Sequence, residues 1–294
     1  MGRDRSGVAS ATKPDEDLAG LDVLELPLRP APSPQARLWA AAWPKLAAIV
    51  LLLAGWQLVV WTGWKPTYVL PPPGPVLAKL ATDLRDGVLV TATAITLSRA
   101  LIGYGLALVV GTALGLAVAR IPVLRTAVGS LITGIQTMPS IAWFPLAILF
   151  FGLNERAILF VIVLGAAPSI ANGLLQGIDH IPPILLRAGR VLGARGVAAY
   201  RHVILPAALP GFVGGLKQGW AFAWRSLMAG ELLVIIATRP SLGVRLQFAR
   251  DFSDAQAMIA AMIVILVIGI AVDGLVFGRI ERAIRNRWGL VERA

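Results

Sequence analysis

Six long apolar runs, at about 44–62, 91–119, 126–152, 156–175, 207–237 and 256–278, alternate with shorter stretches where the charged residues collect. An α-helix rises about 1.5 Å per residue, so about 20 apolar residues cross about 30 Å of hydrocarbon, and each run is long enough for one span. The pattern predicts an all-α membrane protein, a six-span helical bundle. Arg37 and Lys45 stand at the first run, Arg120 and Arg125 between the second and third, Arg187 to Arg201 between the fourth and fifth, and Arg279, Arg282, Arg285 and Arg287 after the sixth. A chain that crosses six times puts all four groups on one side. Lys and Arg favour the cytoplasmic side, so both termini are expected there. Lys65, Lys79, Arg85, Arg239, Arg245 and Arg250 fall on the outer side and are only partly balanced by acids.

The polar segments complete the domain plan. Residues 1–43 mix acids, bases and prolines (Pro14, Pro27, Pro30, Pro32, Pro34) and are expected to form a flexible cytoplasmic tail, because they carry too little apolar surface to order themselves. No basic segment leads directly into a short apolar core there, which argues against a signal peptide. Residues 44–280 form the transmembrane domain, with a cytoplasmic loop at about 179–206, and 281–294 form a second cytoplasmic tail. Between the first two runs, Pro71, Pro72 and Pro73 mark a turn, and Val76, Leu77, Leu80 and Leu84 recur at helical spacing, which predicts a short helix on the outer surface.

Composition agrees with the pattern. The chain is 57% hydrophobic and 15% charged with a mean hydropathy of +0.75, more apolar surface than a water-soluble core can hide. A net charge of +11 raises the question of nucleic acid, but the basic residues flank apolar runs rather than sharing a face with aromatics, so no nucleic-acid partner is expected. Cysteine is absent, which excludes disulfides and thiol chemistry. There is no GxxxxGK[ST] phosphate loop, no HExxH and no nucleophile elbow. No metal or catalytic site is predicted, and any energy for transport must come from a partner or an ion gradient.

Polar side chains inside the runs are costly and tend to face the bundle interior or a watery path. Arg99 lies in the second run and Lys217, Gln218, Arg225 and Glu231 lie along the fifth. Gln218 and Arg225 are seven apart and share a helix face, whereas Glu231 points elsewhere. Two readings stand open. Arg225, with Gln218 and Arg99, lowers the barrier for an oxyanion, since a guanidinium is permanently charged and matches oxyanion geometry; or an interhelix ion pair, Arg99 or Arg225 with Glu231, holds the bundle together. Asp273, near the end of the sixth run, is expected to make a structural pair close to Arg279. Gly103, Gly105, Gly111 and Gly115, with Gly211, Gly214, Gly215 and Gly219, predict close helix packing.

The most informative segment is RAGRVLGARGVAAYRHVILPAALP, Arg187 to Pro210. Its four arginines must leave the hydrocarbon, and its spacing is distinctive: Arg187-Ala188-Gly189, then Gly193-Ala194, then Val203, then Leu205-Pro206. This resembles the cytoplasmic "EAA" loop of ABC-importer permeases, with Arg187 in place of Glu, Gly189 in place of Ala and Val203 in place of Ile. VLPPPGPVLAKL, the stretch from Phe144 to Ile178, the stretch from Ala208 to Leu233 and the ending Arg287-Trp288-Gly289 resemble the sulfonate, taurine and nitrate branch of that family; a related branch carries thiamine-precursor pyrimidines. The resemblance implies a bundle of the type I ABC-importer permease kind with cytoplasmic coupling helices, in a bacterial inner membrane. It also implies partners: a second permease copy, two copies of a P-loop ATPase that binds ATP and Mg, and an extracytoplasmic solute-binding protein. This chain itself would carry no cofactor. On the residues alone, a self-sufficient secondary transporter or channel is the alternative, with Glu231 or Asp273 as its proton carrier. In the loop, Gly193 is expected to relieve a clash, and Pro206 to begin a helix where no N–H is needed.

Overall fold

The computed structural model describes residues 33–287, and among these the ordered elements are all helical. The chain divides into two units at Trp56. The first unit is most of helix α1 (Pro34–Trp61), which starts on a proline, suited to a first turn, and keeps Leu46, Ile49, Leu51 and Leu52 exposed. Its start at Pro34 takes in ten residues expected to belong to the tail; the rest of that tail lies outside the described residues, as do Trp288 and Gly289.

The second unit, from Gln57 onward, holds the remaining helices. The segment between the first two apolar runs does form a helix, α2 (Pro73–Arg85), entered through Pro72 and fixed by burial of Val76. Leu80 packs toward Leu89 and Leu242, so one face of α2 rests on the bundle. The second run is α3 (Val88–Arg120). The third is not one rod. Helix α4 (Pro122–Thr137) stops, a 3₁₀ turn follows at Ser140–Trp143, and α5 (Phe144–Phe151) leaves at 103° to the end of α4. The cause is local: the residue before a proline avoids the helical region, and Met138, before Pro139, is extended at φ −75°, ψ 131°. Among the described residues, five helices are long and apolar enough to span, or six if the bent pair counts as one.

Helix α6 (Glu155–Asp179) is the axis of the bundle, opened by Asn154, whose side chain accepts from the Arg156 N–H at 2.8 Å. Alanines and glycines let two neighbours approach its backbone. On one side a Cβ added at Gly111 of α3 would lie 2.6 Å from the Ala167 carbonyl oxygen, and one at Gly115 would lie 3.1 Å from that of Ala171. On the other, α8 (Val197–Leu233) meets α6 so closely that a Cβ at Gly173 would lie 2.3 Å from the Gly215 Cα, and one at Gly211 would lie 2.6 Å from the Gly177 Cα. In lipid, where apolar burial drives little, such backbone approach supplies the packing energy. The glycines of the second and fifth runs thus press on the fourth run between them, while Gly105 and Gly214 face open space.

The remaining elements are α7 (Pro183–Val191), α9 (Leu242–Asp251) and α10 (Ala255–Arg287). Helices α8 and α10 each contain one π-turn, at Tyr200–Ile204 and Asp273–Phe277.

Candidate functional site

The predicted loop is built from α7, a tight turn and the first turns of α8. Arg187, Ala188 and Gly189 lie on α7, and the helix ends in a two-bond cap around Gly193: the Ala194 N–H donates to the Gly189 carbonyl at 2.9 Å and the Gly193 N–H to that of Arg190 at 3.1 Å. This cap needs a left-handed residue just past the helix end, and Gly193 sits at φ +82°. No atom lies within 4 Å of where its Cβ would be, so backbone conformation and not a clash fixes glycine there. Pro206 stands in the first turn of the regular α-helical part of α8, Leu205–Leu233, directly after the π-turn in which the Leu205 N–H reaches back to the Tyr200 carbonyl. The wider turn accommodates a proline that removes one helical donor.

The two arms of the loop touch at Gly189 and Val203. Gly189 is buried, and a Cβ there would lie 2.7 Å from Val203 Cγ2, so the small residue on α7 makes room for the branched one on α8. The outward face is apolar and basic together: Ile184, Val191, Leu192 and Val197 are exposed, Val191 to 87%, among Arg187, Arg190 and Arg195. Arg187 has no ion pair among the described residues. The loop is tied to the bundle by an Arg125–Asp179 ion pair and by the Arg120 guanidinium 4.2 Å from the Tyr200 ring centre.

At the far end of α8 the charged residues of the spans close into a network. Arg99, 1% exposed, sends one Nη to Glu231 at 3.0 Å and the other to Glu155 at 3.0 Å. Glu231 is fully buried and completely engaged: it also accepts from the Thr96 hydroxyl at 2.9 Å and from the Gly243 N–H at 3.0 Å. The Leu242 N–H donates to the Thr96 hydroxyl oxygen at 3.0 Å. Glu231 and Thr96 therefore satisfy the first N–H groups of α9, a favourable place for a carboxylate. At the surface, Arg239 reaches Glu155 at 3.2 Å. Signs alternate from core to surface, Glu231, Arg99, Glu155, Arg239, and the network joins α3, α6, α8 and the entry to α9. The sequence pointed to Arg99 and Glu231 but not to Thr96, Glu155, Arg239 or Gly243. Thr96 was within reach, since it stands three residues before Arg99 on the same helix face.

Gln218 and Arg225 belong elsewhere. They share a cavity of about 560 Å³ between α8 and α10 with Lys217, Trp220, Trp224 and Asp273, and a neighbouring cavity of about 640 Å³ shares Trp224, Gly269 and Asp273. Arg225 donates through Nε to the Ala221 carbonyl at 3.0 Å and lies over the Phe222 ring, but pairs with no acid among the described residues. Trp220 and Trp224 stack at 6.1 Å along the wall. Asp273 pairs with Lys217 at 3.1 Å and not with Arg279, and Lys217 also reaches Glu281 at 3.5 Å. The polar side chains of the spans thus split: Arg99 and Glu231 are locked in an ion network, the interhelix pair being one of the two readings left open, while Arg225 and Gln218 face open volume.

Comparison with known proteins agrees with this architecture. Residues 107–286 match the family model "Binding-protein-dependent transport system inner membrane component". The chain is 30% identical over 233 residues to the taurine transport system permease protein TauC of Escherichia coli K12, a match that covers 78% of this chain and 84% of that protein. It is 32% identical over 260 residues to the riboflavin transport system permease protein RibX of Chloroflexus aurantiacus, covering 87% of this chain and 95% of that one. Among solved structures, an inward-facing MetNI methionine ABC transporter chain superposes with a TM-score of 0.57 at 22% identity, over 67% of this chain and 95% of that one, a likeness of fold. With its bent third span, its α7 loop and its central α6, the chain belongs to the family of inner membrane components of binding-protein-dependent ABC transport systems.

Proposed function

We propose that this chain is one half of the pore of an ATP-driven importer, pairs with a second copy of itself, and takes an aliphatic sulfonate, taurine or a similar small oxyanion from an extracytoplasmic binding protein. The observation that carries the reading is the outward face of α7 and its turn. A loop that packs Gly189 against Val203, yet leaves Ile184, Val191, Leu192 and Val197 exposed among arginines, has the make-up of a surface that another protein covers. The partner is a P-loop ATPase that binds ATP and Mg, one per permease. In this orientation both termini and the α7 loop lie in the cytoplasm, and the network around Arg99 lies toward the outer side.

Solute passes along the cavity between α8 and α10. Arg225, which pairs with no acid among the described residues, attracts the oxyanion; Gln218 supplies a neutral contact on the same face; and the Trp220–Trp224 wall keeps the path narrow and apolar. With Lys217 neutralised by Asp273, the unpaired charge of Arg225 lowers the barrier without holding the solute tightly, which suits passage more than storage. Permease names at similar identity include taurine and riboflavin carriers, and the aromatic wall favours a planar ring as the second substrate reading. Glu231 and Asp273 are both held in ion pairs, which fits a structural role in an importer whose energy comes from a partner.

The test is reconstitution. The tagged chain, isolated from its native membrane with whatever accompanies it, is placed in proteoliposomes and supplied with the binding protein and labelled taurine, alkanesulfonate, nitrate or riboflavin. Uptake that needs ATP and the binding protein supports the reading; uptake driven by an ion gradient with no ATPase present would overturn it.

A further inference from the structure

A cavity of about 510 Å³ at the loop end of the bundle is lined by Arg201, Leu205, Pro206 and Leu209 of α8 and by Arg287 of α10. Neither guanidinium has a hydrogen bond or an ion pair among the described residues, and no acid can reach them from nearby sequence on α8: Asp and Glu are absent between Asp179 and Glu231. The nearest acid on α10, Glu281, is engaged by Lys217. Below the arginines the wall changes character. Leu205 and Leu209, 44% and 38% exposed, stand one helical turn apart and lead from the charged loop into the apolar part of α8. Charge at the membrane edge, followed by an apolar strip running toward its interior, is the order of groups in a phospholipid.

We infer that Arg201 and Arg287 bind the phosphate of an anionic phospholipid, with its acyl chain lying along Leu205 and Leu209. Two guanidiniums from different helices present forked donors to one phosphate, a geometry that favours a phosphodiester over a diffuse surface charge. Basic pockets of this kind, at the cytoplasmic edge between spanning helices, are where acidic headgroups settle. Because Arg201 opens α8 and Arg287 closes α10, the lipid bridges the two helices that flank the proposed path. The leaflet follows from the orientation proposed above; the chemistry of the pocket does not depend on it.

Native mass spectrometry of the transporter, purified in a mild detergent and titrated with phosphatidylglycerol or with phosphatidylcholine of the same chains, tests this. One phosphatidylglycerol retained per permease chain, with about thirtyfold preference over phosphatidylcholine, is expected from two arginines. That preference is lost in Arg201→Gln/Arg287→Gln and falls to an intermediate level in Arg201→Lys/Arg287→Lys, which keep the charge but not the fork; both pairs are surface changes that leave the packed core untouched. Equal retention of the two lipids would overturn the inference. So would full displacement by inorganic phosphate, which would assign the pocket to a free oxyanion. Loss of the ATPase subunit in the Gln variant with lipid retention unchanged would also overturn it, and would assign the arginines to a protein contact.

Discussion

Arg99→Met is the sharpest probe of how the outer end is held. In the native chain Glu231 is wholly buried and faces Arg99, the Thr96 hydroxyl and the Gly243 N–H. Removing the guanidinium leaves a buried carboxylate with two neutral donors, and breaking a buried ion pair from one side costs about 3–5 kcal/mol. At about 2–4 °C per kcal/mol for a domain of this size, the melting temperature in detergent falls by about 6–20 °C. Glu231→Gln is milder, about 1–3 kcal/mol, because Arg99 keeps Glu155 at 3.0 Å and the amide oxygen still accepts from Gly243. The double variant loses less than the sum of the two, since no orphan charge remains beside position 231. A local readout separates loosening of α9 from global unfolding: the chain has no cysteine, and Ser241, fully buried at the entry to α9, takes a single Cys. Maleimide labels Ser241→Cys slowly in the native background and quickly with Arg99→Met. An Arg99→Met variant with an unchanged melting temperature, and with the thiol of Ser241→Cys still protected, would refute the argument that this network docks α9.

Gly243→Ala drives a methyl to 2.3 Å from Glu231 Cβ; overpacking costs about 1–3 kcal/mol, seen as a lower melting temperature and faster Ser241→Cys labelling. Gly193→Val strains a φ +82° backbone by about 1–2 kcal/mol and lowers ATP-coupled uptake while membrane insertion persists, whereas Gly193→Asn, which visits this region more easily, retains most uptake. Gly173→Leu cannot be accommodated against the Gly215 backbone, so folded yield after detergent extraction collapses; normal yield would contradict the α6–α8 packing. Arg225→Gln reduces uptake of a sulfonate by about tenfold or more through loss of a charge-assisted contact, with Arg225→Lys intermediate and the melting temperature unchanged.

The apolar runs made the spans legible because hydrocarbon thickness dictates their length, and the α7 loop was legible because charge and glycine spacing are local. What involves two distant segments was not. Pro139 marks a break in the third run, but a proline alone does not give the 103° between α4 and α5. Arg99 and Glu231 stood out as expensive, yet their partnership joins residues 132 apart in the chain, and its purpose is visible only once α9 is seen starting on the Glu231 carboxylate. The glycines of the second and fifth runs were visible as a packing signal. Their common partner, Gly173 and Gly177 with the alanines of α6, was not, because spacing within one helix does not say which neighbour it faces. Gly193 was singled out for a clash when its reason is backbone conformation, a distinction that sequence cannot draw.

In the proposed importer, energy enters at the α7 loop. Val191 and Val197, 87% and 78% exposed on either side of the turn, each take a single Cys in this cysteine-free chain. In native membranes carrying all partners, a short thiol-to-amine cross-linker should join either position to a P-loop ATPase subunit, with a yield that changes on adding ATP, while a Cys at the opposite end, Phe252→Cys, should not. Cross-linking of Phe252→Cys to the ATPase, or none from Val191→Cys and Val197→Cys in membranes that support transport, would contradict the account.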